Sequence, residues 1–242
     1  MKQHTLFLDT TYNMVIGILD ADNTWIDYQC LLEKKSSALI HKQIDEIIKK
    51  NNLSKYNNEN KNENNNESKN EIQRVVYLAG PGSYTGVRVG RGIAEVFSLL
   101  NRQIFSFYHF DVPEYLNVTK GIWFSKAFKG EFFLYQWDHQ KNFINKSLQK
   151  KRDFLDYLDF LLKQNNQVTL DNRIRIFTHF IEETIEDIED VITQPSNDCV
   201  IEETSSMIKM YSSQLLKIIL QDNINKESYY YRSLEDEFRS FK

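Results

Sequence analysis

With 242 residues, 41% of them apolar and 13% aromatic, the chain suits one large domain or two small lobes and can fill a sizeable core. Thirty basic against 34 acidic residues leave a net charge of −4, so the basic footprint of a nucleic-acid binder is missing. No stretch approaches the ~18 apolar residues of a membrane span. The short apolar run after Met1 is no signal peptide, so the expectation is a cytoplasmic chain with no membrane contact. Cys30 and Cys199 are too few and too far apart for a disulfide framework or a zinc site, and read as buried free thiols.

Thr5–Asp9 and Met14–Leu19 are apolar runs separated by Thr10-Thr11-Tyr12-Asn13, the pattern of a β-hairpin. Trp25–Leu31 alternates, with Ile26, Tyr28 and Cys30 on one side and Asp27 and Gln29 on the other, which predicts a third strand. Ser36 or Ser37 is placed to cap a helix whose apolar face is Ile40, Ile44, Ile47 and Ile48. Residues 54–71 are low-complexity, eight of the eighteen being asparagine, and bury too little to offset their ordering entropy. They are read as a disordered insertion.

Ile72–Ala79 then reads as a buried strand. It runs into Gly80-Pro81-Gly82-Ser83-Tyr84-Thr85-Gly86-Val87-Arg88-Val89-Gly90, and a helix follows over 83–100 with Val89, Ile93, Val96, Phe97 and Leu100 as its apolar positions. Ile104–Phe107 is the fifth strand. Three antiparallel strands followed by parallel additions, β-β-β-α-β-α-β, is the half-domain of an α/β actin/hexokinase-like (ribonuclease-H-like) fold with two lobes. The first lobe is set at 1–107 and the second at 108–242, with a tail over 222–242 placed to pack back on the first. In the second lobe the pattern predicts a helix at 109–117, strands at Ile122–Ala127 and Glu131–Trp137, and an amphipathic helix through Phe154, Leu158 and Leu162. Further on it predicts strands at Ile174–Phe180 and Asp190–Ile192, and one helix from Met207 to Ile219.

Five of the eight glycines fall within 80–92. The spacing is not that of a P-loop, which needs a lysine, nor of the Gly-x-Gly-x-x-Gly dinucleotide turn, which Gly80, Gly82 and Gly86 overshoot by one position. Gly82, Gly86, Gly90 and Ala94 instead recur every four residues and so form one smooth helix face. Helix-interior glycines at 86, 90 and 92 together cost about 2–3 kcal/mol, which close approach of another backbone would offset. That neighbour belongs either to this chain or to another.

The string Gly80–Gly90 resembles the Gly-Pro-Gly-Ser-Phe-Thr-Gly-Leu/Val-Arg-Ile-Gly signature of the TsaB (YeaZ-like) family, accessory subunits of tRNA threonylcarbamoyladenosine synthesis. Asp9-Thr10 is similar to the family's N-terminal Asp-Thr, and Tyr230-Tyr231-Arg232 to its C-terminal Tyr-Leu-Arg. Ser37 and Leu39-Ile40 fall in its first-helix motif, where Ser36 replaces a histidine. The second-lobe motif keeps only Ala127 and Glu131. The resemblance implies a non-catalytic scaffold that supports a TsaD-type threonylcarbamoyltransferase, with a TsaE-type ATPase joining the pair and tRNA reached only through the complex. It implies a partner interface on the first two helices, through Ser37, Ile40, His41, Ile44, Gly82, Tyr84, Gly86, Val87, Gly90, Arg91 and Ala94, a surface also open to a homodimer. No cofactor is expected on this chain alone, while ATP at the joint interface, near Asp9, Thr10 and Thr11, stays open.

The residues themselves carry little catalytic chemistry. The five histidines are too far apart in sequence for a His-x-x-x-His metal pair, and there is no Gly-x-Ser-x-Gly elbow. No metal site or catalytic residue is assigned. The alternative, an ATPase or small-molecule kinase of the same superfold, needs glycines in its phosphate hairpins, and the turn Thr10–Asn13 has none.

Overall fold

The computed structural model describes residues 3–31, 39–54, 71–127, 130–165, 174–193 and 200–231. They divide into two compact units, one of Met1–Tyr108 with Ser212–Lys242, the other of His109–Tyr211.

The first unit opens with β1 (Gln3–Asp9), β2 (Met14–Leu19), β3 (Trp25–Leu31), α1 (Ile40–Lys50), β4 (Glu71–Leu78), α2 (Tyr84–Leu99) and β5 (Gln103–Phe107). The sheet order is β3-β2-β1-β4-β5; β1, β2 and β3 pair antiparallel, and β4 and β5 join in parallel. The apolar content of β1, β2 and β4 is nearly continuous because both faces of these strands are covered. On one face Leu6, Leu8, Ile16, Ile18, Val75 and Tyr77 form one cluster with Ile40, Ile44, Ile47 and Ile48 of α1 and Ile93, Ala94 and Phe97 of α2.

Three expectations change here. Helix α1 begins at Ile40 with Leu39 as its cap and no side-chain hydrogen bond there, while Ser36 and Ser37 lie outside the described residues. In β3 no residue is fully buried, and the side that carries Asp27 and Gln29 is half-covered. Lys50 Nζ lies 2.7 Å from Asp27 Oδ2 and Asn51 Nδ2 donates to the same oxygen at 3.1 Å, so the end of α1 covers the Asp27 face. Ile26 and Cys30 are therefore exposed, and Cys30 is not a buried thiol; Cys199 lies outside the described residues. Of the insertion read over 54–71, the two end residues pair with each other and Ser54 O accepts from Ile72 N at 3.1 Å, while residues 55–70 lie outside the description. Closing a loop at its base makes its length cheap, since each doubling adds only about 0.6 kcal/mol.

The second unit holds α3 (Asp111–Tyr115), β6 (Lys120–Lys126), β7 (Glu131–Asp138), β8 (Phe143–Lys150), α4 (Lys151–Asn165), β9 (Arg175–Thr178), α5 (Ile181–Ile192), β10 (Ile201–Glu203) and α6 (Thr204–Met210). Its sheet order, β10-β9-β6-β7-β8, repeats that of the first unit strand for strand, with β6, β7 and β8 antiparallel and β9 and β10 parallel. This repeated topology is the two-lobed α/β fold of the actin/hexokinase class. Strand β8 escapes a hydropathy reading because it is an edge, half-buried and polar. Asp190–Ile192 is not a strand but the end of α5, whose buried positions Thr184, Ile188 and Val191 keep helical spacing. The helix expected from Met207 to Ile219 is two: α6 ends at Met210, and α7 (Ser212–Gln221) belongs to the first unit, where it packs on β5.

Candidate functional site

The glycine-rich turn between β4 and α2 is built against the turn between β1 and β2. Ser83 caps α2, its Oγ accepting from Gly86 N at 3.1 Å, and its own N–H donates to Thr11 O at 2.9 Å. Asp9, 3% exposed, accepts through one carboxylate oxygen from both Thr11 N (2.9 Å) and Thr11 Oγ1 (2.6 Å), which holds the turn in shape. Thr10 Oγ1 donates to Gly86 O at 2.7 Å. A Cβ on Gly82 would stand 2.6 Å from that of Thr11, one on Gly90 would stand 2.6 Å from Thr10 Oγ1, and one on Gly86 would strike the Thr10 carbonyl. The smooth face Gly82-Gly86-Gly90 is thus filled by this chain's own hairpin turn.

That placement bears on two expectations. Val87, Ala94, Ile40 and Ile44 are at most 2% exposed and pack into the core, and Gly82, Gly86 and Gly90 are covered by the Thr10–Thr11 turn, so these residues offer a partner little surface. The physical reason is that small residues permit close approach from either side, and here the side is internal. Asp9, Thr10 and Thr11 have their polar atoms engaged in packing the turn on α2. The carbonyl of Thr10 lies over Gly86 and that of Thr11 accepts from Ser83 N. Of the remaining interface candidates, His41 and Arg91 face outward and Tyr84 is half-buried, while Ser37 lies outside the described residues.

The outward face of α2 has a different character. Arg91 Nε donates to Glu95 Oε1 at 2.8 Å, an i,i+4 surface pair worth about 0.3–0.5 kcal/mol. Arg88 lies over the Tyr84 ring and donates to its hydroxyl at 2.8 Å, and Tyr84 in turn meets the ring of Tyr230 at 5.0 Å. Between these groups and the core runs a stripe of half-buried Val89, then Gly92, Val96 and Leu99, the last two 53% and 85% exposed. Gly92 is exposed, and a Cβ there would have nothing within 4 Å. Among the described residues it is the one α2 glycine with no close neighbour to account for it, and sequence spacing passed it over because it falls outside the four-residue repeat.

The C-terminal segment returns across this region. Ser106 N donates to Ile224 O (3.1 Å) and Lys226 N to Ser106 O (3.2 Å), extending the sheet past β5. Tyr229 N then donates to Ala79 O at 2.7 Å, and the Tyr229 carbonyl occupies the space where Gly80, at φ +120°, has no side chain. Arg232 lies outside the described residues. Between α2 and this segment is a recess of about 360 Å³.

In the second unit the fold brings together two histidines that sequence spacing kept apart. The rings of His109 and His179 lie 3.8 Å apart, both at most 2% exposed, beside Trp123 and Thr204. Burial, and then the neighbouring His109, hold the His179 imidazole well below its ordinary value. Among the described residues no group of three or more histidine, cysteine or acidic side chains is arranged to hold a metal ion.

No family model matches the chain, and no curated protein matches it. Solved structures do. YeaZ from Pseudomonas aeruginosa superposes with a TM-score of 0.53 at 11% identity, over 93% of this chain and 96% of that one. A protein from the same organism, described as uncharacterized with similarity to the peptidase YEAZ, gives 0.51 at 10% identity, over 94% and 100%. At such identities the likeness is one of fold, and it spans the chain nearly end to end: this protein has the fold of YeaZ.

Proposed function

We propose that the chain is a TsaB-type scaffold subunit, which binds and supports a TsaD-type threonylcarbamoyltransferase in modifying the adenosine beside the anticodon of tRNA. The resemblance of Gly80–Gly90 to the family signature and the YeaZ fold support this reading. The observation that carries it is Gly92. A glycine inside an exposed helix costs about 1 kcal/mol relative to alanine, and nothing among the described residues stands close enough to offset that cost. Centred between Val89, Val96 and Leu99, it is suited to a helix of a second chain lying close against α2.

In this reading the contribution to the reaction is binding. The partner's helix covers the Val96 and Leu99 side chains, and the Arg91–Glu95 pair stands at the rim. The TsaE-type ATPase joins the assembled pair, and any ATP is held at the joint interface. A second copy of this chain competes for the same face.

The test is light scattering after size exclusion, on the chain alone and mixed with the TsaD-like protein of its own source. The expected result is a one-to-one complex, weakened in Gly92→Ala and lost in Gly92→Leu. If Gly92→Leu forms the complex as well as the parent chain does, the α2 face is not the interface. If the parent chain forms no complex and instead hydrolyses ATP, with loss on Asp9→Ala, the enzyme reading of the superfold replaces this one.

A further inference from the structure

The recess between α2 and the returning C-terminal segment lies on another side of α2 from the Gly92 stripe, and the scaffold reading gives it no role. Its volume of about 360 Å³ is that of a small-molecule site. Ala94 makes the room: with only a methyl group at this helix position, the floor is left to Tyr77 and Ile104. Tyr77 is 5% exposed, and burial raises its pKa.

The rim has a specific electrostatic pattern. Helix α2 contributes Arg91 and Glu95, and the C-terminal segment contributes Lys226 and Glu227. Each wall thus presents one cation and one anion, Arg91 and Glu95 already paired with each other at 2.8 Å and the Lys226 ammonium 5.9 Å from the centre of the Tyr108 ring. A ligand bearing only a carboxylate would gain from Arg91 and Lys226 but be opposed by Glu95 and Glu227; a simple amine meets the reverse. A compact molecule carrying both charges on a small apolar body satisfies both walls and leaves its body to the aromatic and aliphatic floor.

We propose that this recess binds a zwitterion of the amino-acid type. Such a ligand bridges α2 to the C-terminal segment, so it also clamps the backbone bonds that hold that segment, Lys226 N to Ser106 O and Tyr229 N to Ala79 O.

The test uses three molecules of similar body: L-norvaline, which carries both charges, pentanoate, which carries the anion alone, and butylamine, which carries the cation alone. Each is titrated into the isotope-labelled full chain and followed by amide NMR. The expected result is saturable shifts at Arg91, Glu95, Ser98 and Lys226 with norvaline, at a Kd of about 1 mM or tighter. Pentanoate and butylamine should bind at least about tenfold more weakly. Hydrogen exchange at the Lys226 and Tyr229 amides should slow with norvaline by the factor its occupancy implies. Ser98→Trp, at an exposed rim position, should fill the mouth and abolish the shifts while leaving the Gly92-dependent complex intact. Shifts that do not saturate, equal binding of pentanoate or butylamine, or binding undiminished in Ser98→Trp would each overturn the proposal.

Discussion

The same substitution at two positions of one helix should have opposite effects on stability. Gly92→Ala places a methyl group where nothing stands within 4 Å, in the middle of α2. Its only consequence for the isolated chain is helix propensity, a gain of about 1 kcal/mol. Gly86→Ala places that methyl group against the Thr10 carbonyl, a backbone atom in a turn pinned by Asp9 to Thr11 and by Ser83 N to Thr11 O. The turn cannot retreat without losing the Thr10 Oγ1 to Gly86 O bond, worth about 1 kcal/mol, and the overpacking adds about 1–3 kcal/mol. The position lies in the first turn of α2, where the propensity gain is small. The expected net loss is about 2 kcal/mol or more. Native-state hydrogen exchange at the slowest α2 amides isolates the first unit from the second, at a concentration where the chain is monomeric. A gain at Gly92 with a loss at Gly86 supports the placement of the hairpin turn; an equal effect at both positions, of either sign, refutes it.

Arg74 of β4 is 8% exposed; its Nε and Nη2 find no hydrogen-bond partner among the described residues, and burial lowers its pKa. Replacing an uncompensated buried charge with an apolar side chain of similar length should stabilise, so Arg74→Met should raise the urea midpoint of the first unit by the equivalent of about 1 kcal/mol or more, and a clear loss would show that the guanidinium is compensated. For His179 the folded-state pKa is depressed, so as pH falls below about 6.5 the unfolded chain takes up a proton that the folded one refuses. The stability of the second unit should hold above that pH and decline below it by up to about 1.4 kcal/mol per pH unit; a urea midpoint flat from about pH 7 to about pH 5 would refute this.

The fold was largely legible, because it rests on patterns that survive without relatives. Near-continuous apolar strands, the four isoleucines of α1 and the turn residues around Gly80 each have one structural solution. What was not legible depended on which side of an element a neighbour lies. In β3 the alternation was read correctly as a strand, but Cys30 was read as buried, whereas Lys50 and Asn51, from the end of α1, cover the Asp27 side and leave Cys30 exposed. No local pattern announces that. The polar edge β8 and the short β10 carry too little apolar signal, and the break at Tyr211 separates two helices whose apolar positions run on in phase.

The glycines make the same point about the candidate site. A repeat of small residues says that something comes close, but the sequence does not say what. In the first unit the β1–β2 turn comes close, and Gly82, Gly86 and Gly90 are accounted for. The second unit supplies the contrast. It repeats the topology, yet α5, which stands where α2 does in strand order, contains no glycine and buries Thr184, Ile188 and Val191 on ordinary helical spacing. The glycine face is therefore not required by the fold itself but by one close contact within the first unit. Subtracting that contact leaves Gly92, which neither the fold nor the hairpin turn requires. A residue that costs helix stability and whose added Cβ would meet nothing within 4 Å among the described residues is the reason the proposed partner surface is the Val89–Leu99 stripe rather than the glycine repeat that first drew attention to this helix.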